Sequence, residues 1–212
     1  MFEAVDLYCE RLGPHFWAEP VNALTNASFL LAAVFAWRRG KQLDALTPAI
    51  WCLLALICAI GLGSAAFHTA ANGLTRFLDV LPILLFQLVY LWLYSREFIG
   101  LRPWKTAALI IVYLAAALTG RQYPEVLNGS LIYAPAIVVI LLLGVYHAAR
   151  NLNERFGVLV AALAFVVSLL ARTLDEAICP SFPLGTHFLW HLLNGLVVYL
   201  LMAAFLANRK LN

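Results

Sequence analysis

The chain has 212 residues, 64% of them hydrophobic and only 12% charged, with a net charge of +3. A soluble domain of this length is about half apolar and about a quarter charged, so a water-soluble globule is excluded and an all-α, polytopic membrane protein is expected. The basic residues are scattered over short loops, which offers no surface for nucleic acid.

In chain order, Met1–Pro20 is acidic and does not read as a signal peptide, having no basic stretch followed by an apolar one. Apolar runs between turn residues then predict seven spans: Val21–Trp37, Pro48–His68, Phe77–Tyr94, Trp104–Leu118, Leu131–Tyr146, Phe156–Ala171 and His187–Ala207. Several are shorter than the roughly 20 residues that a crossing needs, so their ends are expected to run into the flanking loops. With no repeat, linker or low-complexity tract, residues 1–212 read as a single seven-helix bundle.

Charge gives the expected direction. Ten of the fourteen Lys and Arg fall on one side of this topology and four on the other, alternating loop by loop. The positive-inside rule then puts the N-terminus outside and the C-terminus in the cytoplasm. His68 at the end of the second span, Asp79 at the start of the third and His187 with His191 at the start of the seventh all fall at the outer face. Hydropathy and charge placed them there without reference to their chemistry.

Polar side chains at membrane depth point to function. His187 and His191 are four residues apart, so they share a helix face. With His68 they supply three neutral imidazoles, the donor set of a catalytic zinc site with an open fourth position. By itself the His-x-x-x-His pair also suits haem or an interfacial hydrogen-bond ladder. Ser64 lies one turn before His68. The small residues around it, Gly61 to Ala66, suit the close helix approach that a metal shared with the seventh span demands. Asp79 reads either as a local ion pair with Arg76 or as a carboxylate serving the metal and its water. His15 and His147 read as ordinary hydrogen-bonding residues. Cys52 and Cys58 read as apolar filler. Cys9 and Cys179 both fall outside, where a disulfide is expected.

Several of these residues resemble the alkaline ceramidases, seven-span membrane hydrolases whose wider superfamily includes the adiponectin and progestin receptors. The matching pieces are Ser64-Ala65-Ala66-Phe67-His68, Asp79, and His187-Phe188-Leu189-Trp190-His191. Cys9-Glu10 and the string from Glu19 to Asn26, Glu-Pro-Val-Asn-Ala-Leu-Thr-Asn, match ceramidases rather than receptors. The resemblance runs from Asp6 to about Met202. It implies zinc on His68, His187 and His191, and Ser64 and Asp79 as catalytic residues beside the metal's water. It also implies a calcium ion near the N-terminus on Asp6, Glu10 and Glu19, although Asp6 lies one residue farther from Cys9 than in the eukaryotic pattern and the segment up to Glu19 is shorter. A solvated acidic segment, with Glu19 bonded into the bundle, accounts for the same three residues without an ion.

The expected activity is hydrolysis of the amide bond of ceramide or a similar N-acyl membrane lipid, giving a fatty acid and a long-chain amine. The alternative is a zinc-containing receptor or lipid sensor without rapid turnover. A transporter is disfavoured because the polar groups gather at one face instead of lining a path. The short loops suggest a bacterial inner-membrane protein with its metal site towards the outer face. The sequence is silent on oligomeric state.

Overall fold

Proline and asparagine mark where the helices begin. The structure, a computed structural model, describes residues 5–209. Its helices are α1 (Pro20–Thr25), α2 (Ala27–Gln42), α3 (Pro48–Ala70), α4 (Gly73–Glu97), α5 (Pro103–Arg121), α6 (Ala134–Ala149), α7 (Gly157–Ile178) and α8 (His187–Asn208), with a short 3-10 turn at Ser130–Tyr133. Proline stands in the first turn of α1, α3, α5 and α6, where its missing N–H has no helical partner to lose. Asn72 and Thr75 form a reciprocal capping box at the start of α4, directly after α3 ends on Ala71 in a left-handed conformation (φ 38°).

Seven segments are long and apolar enough to cross a membrane, with α1 and α2 together making the first. Each contains most of the corresponding predicted span and extends past at least one of its ends. The one break that hydropathy missed is at Asn26, between α1 and α2. Many large apolar side chains face outward, among them Leu62, Ile111, Val112 and Leu163, as a lipid-facing surface requires. The core is centred on α8, whose Met202, Ala204 and Phe205 are fully buried.

The tightest helix contact lies beside the polar residues. Pro82 sits inside α4 and has no N–H to offer the carbonyl of Leu78 one turn earlier. Gly63 of α3 packs against that same carbonyl; a Cβ at position 63 would stand 2.1 Å from Leu78 O. The small residues of α3 therefore serve α4 at Gly63 and the α1–α2 junction at Gly61, where a Cβ would lie 3.1 Å from Asn26 O. The sequence reading assigned that closeness to the seventh span; His68 instead meets α8 through its ring. Gly63→Ala is expected to cost about 1–3 kcal/mol through overpacking against backbone. Thermal melting of the detergent-purified protein checks this, and an unchanged Tm would mean a looser α3–α4 contact.

Candidate metal centre

The last turn of α3 and the first turns of α8 meet at one end of the bundle. There the rings of His68 and His191 are 4.7 Å apart between centroids, His187 and His191 4.7 Å, and His68 and His187 5.2 Å. All three histidines are buried, and their candidate ligand atoms lie within 4.8 Å of one another. Each carries one buried ring nitrogen with no hydrogen-bond partner: Nε2 of His68, Nδ1 of His187 and Nε2 of His191. Three buried ring nitrogens without partners, on histidines clustered this closely, are costly in a protein interior unless an ion takes them up. The donor set therefore fits a metal ion, and three imidazoles suit zinc.

The opposite nitrogens of His68 and His191 are engaged. His68 Nδ1 bonds the Glu19 carboxylate. His191 Nδ1 meets Thr25 Oγ1 at 3.0 Å, and that hydroxyl donates its single hydrogen to Val21 O at 2.8 Å. Thr25 therefore accepts from His191 Nδ1–H, which leaves the Nε2 lone pair free. A carboxylate on His68 fixes its tautomer in the same sense and raises the basicity of the ring. Burial opposes ionisation of Glu19, but the hydrogen bond and charge of His68 and the charge of Arg11 outweigh it and hold this carboxyl below the usual range.

Asp175 sets the start of α8. Fully buried, it accepts from the backbone N–H of Thr186 (2.7 Å) and His187 (2.8 Å) on one oxygen and of Cys9 (3.0 Å) on the other. A carboxylate at this end of α8 also answers the positive end of the helix dipole. Gly185 has to be glycine here: its φ is +66°, and a Cβ would lie 2.2 Å from Asp175 Oδ1 and 2.6 Å from Cys9 Cβ. Cys9 is bonded to Cys179, as expected, which ties the N-terminal segment to the end of α7. The other cysteines are free, and His147 bonds Tyr94 and the Asn153 carbonyl at the opposite end of the bundle.

Ser64 is buried one turn before His68, and Asp79 stands beside it across the close contact at Gly63. The local Arg76–Asp79 ion pair does not form; among the described residues no basic nitrogen lies within 4.0 Å of that carboxylate. Tyr8 and Arg172 were missed at the sequence level. The Tyr8 ring stacks on His187 with centroids 3.6 Å apart, and burial holds its phenol protonated above the ordinary value. Arg172 anchors to Asn128 O (2.9 Å) and Ser130 Oγ (2.7 Å), with its guanidinium over Tyr133 and Trp190. The only hint of Tyr8 was its place before Cys9. Arg172 fell just past the predicted end of the sixth span, where it read as one of the four outer-side cations, whereas α7 includes it. A cavity lies deeper in the bundle, lined by Phe29, Ile60, Phe86, Phe165, Trp190 and Val197 among others. Trp190, which lines this apolar space, has its ring 6.5 Å from that of His187 between centroids.

Asp6, Glu10 and Glu19 are not brought together. Asp6 is exposed. Glu10 caps α1, its two oxygens accepting from Val21 N (2.7 Å) and Asn22 N (2.8 Å). Glu19 is bonded by Arg11, His68 and Asn22. The calcium expectation does not fit these side chains: a calcium ion takes about six to eight oxygen ligands, the oxygens of Glu10 and Glu19 already accept from protein donors, and Asp6 does not cluster with them.

The fold and site together define a multi-pass membrane protein with a buried three-histidine centre at one end of its bundle. The family model described as Ceramidase matches residues 8–211, nearly the whole chain. The chain belongs to the ceramidase family, which makes it a ceramidase-type amidohydrolase of a lipid substrate. No curated protein matches it closely enough to be counted a relative.

Proposed function

We propose that this protein is a zinc-dependent intramembrane hydrolase that cleaves the amide bond of ceramide or a similar N-acyl lipid, releasing a fatty acid and a long-chain amine. The carrying observation is the cluster of His68, His187 and His191, each with one buried nitrogen free to coordinate. Zinc held there supplies a water that is nucleophilic near neutral pH and a Lewis acid for the amide carbonyl.

The protein's own groups do the rest. Glu19 and Thr25 keep His68 and His191 in the tautomers that present Nε2. The Ser64 hydroxyl donates to the carbonyl oxygen as negative charge grows on it. Asp79 takes the proton from the attacking water and returns it to the nitrogen of the leaving amine. The apolar cavity beside Trp190 receives the acyl chain and excludes water from it. This chemistry needs no calcium on Asp6, Glu10 or Glu19. The split of basic residues supports an outside N-terminus and a metal centre towards the outer face, and the short loops support a bacterial inner membrane.

The test is release of free fatty acid from a panel of N-acyl lipids, ceramide included, by the detergent-purified full chain, alongside its zinc content. Stoichiometric zinc with release that stops on zinc removal is expected. Stoichiometric zinc without release from any lipid amide would turn the reading towards a sensor.

A further inference from the structure

We propose that Arg11 is the built-in cation of the metal centre's outer carboxylate, doing permanently what a bound calcium ion would do at Glu19, so that the centre is independent of calcium. All three arms of the guanidinium are engaged. Nε bonds Glu19 Oε1, Nη1 the carbonyl of Gly13 at 3.1 Å, and Nη2 the carbonyl of His68 at 3.1 Å. The Arg11 and Glu19 side chains are 4% and 2% exposed, so this is a closed ion pair and not a surface contact. A carboxylate and two backbone carbonyls are hard oxygen donors of the kind that calcium recruits. Here a guanidinium collects them.

The arrangement reaches the centre through two atoms of one residue. Arg11 holds Glu19, which holds His68 Nδ1, and Arg11 also holds the backbone carbonyl of His68 itself. The second carboxylate oxygen is shared by His68 and Asn22 Nδ2 (3.1 Å), so Glu19 has both oxygens committed to its protein partners. Glu10, the other acid of the segment that is drawn into the fold, is closed off by two backbone N–H groups of α1. Arginine keeps its charge at every physiological pH and cannot be removed by a chelator. Arg11 is thus a positioning residue: it touches no reacting atom and acts through Glu19 and His68. The disulfide at Cys9, two residues earlier, fixes the segment that delivers it.

The experiment uses the full chain in detergent. Calcium content of the protein as purified, and its Tm with EGTA and with calcium chloride, test independence directly. Less than one calcium per ten chains and an unchanged Tm are expected; one tightly held calcium per chain whose removal lowers the Tm would overturn the proposal. A second arm rests on the zinc reading. Zinc transfer to a competing chelator is expected to quicken by about tenfold or more in Arg11→Gln, the range seen when an outer partner of a metal-bound histidine is lost. Arg11→Lys, which keeps the charge but not the fork, is expected to fall between that variant and the parent. Parent-like zinc transfer in Arg11→Gln, or a lysine variant no better than the glutamine one, would also overturn it. If the parent chain takes up no zinc, the zinc reading fails by itself, and the calcium and melting measurements still decide the role of Arg11.

Discussion

His187→Ala is expected to abolish both zinc retention and lipid-amide hydrolysis while leaving the bundle folded. The separation is possible because Asp175 holds residue 187 by its backbone N–H, which alanine keeps. What is lost is one of three imidazoles and the ring on which Tyr8 stacks. Two imidazoles do not make a catalytic zinc site, which takes three protein ligands. Metal analysis and fatty-acid release on the same preparation, with a melting curve as control, check it. A variant with full metal content and full turnover would sink the assignment of the centre.

Asp79→Asn is expected to do the opposite with the metal: zinc stays, and turnover falls by about 10²–10⁴, the usual contribution of a positioned acid–base group. Asp79 is not one of the clustered donors, and it forms no ion pair whose loss would loosen the fold. Asparagine keeps its size and its place beside Ser64 but cannot accept the water's proton. The fall belongs in kcat, with zinc content unchanged. If zinc is lost together with activity, Asp79 serves the metal's coordination instead.

The spans were legible because lipid demands long apolar runs, and such runs survive any local irregularity. Some ends were not: capped by Asn72, α4 starts on the turn Gly73-Leu74-Thr75-Arg76 ahead of the predicted span, and α7 runs past Ala171 through Arg172 and Asp175 to Ile178. The three histidines were legible through topology: charge alternation put His68, His187 and His191 at one depth, and the structure puts their rings together. The Cys9–Cys179 pair followed from the same reasoning. Roles that depend on one side chain crossing to another element were not legible. Arg11 looks like a loop cation and Thr25 like part of a motif. Asp175 carries no sign in the sequence of the three backbone N–H groups it accepts. Glu10 and Glu19 looked like ion ligands because acidic residues near a metal centre read that way, whereas backbone N–H groups and an arginine satisfy them.

The centre draws Glu19 and Thr25 from the first 25 residues, His68 from the third helix, and His187 and His191 from the last one. A ribosome delivers those pieces in order, so a nascent chain that has inserted six spans owns a single imidazole of the three. On the zinc reading, metal capture would therefore wait for α8. Loading would then report that α8 has docked against α1 and α3.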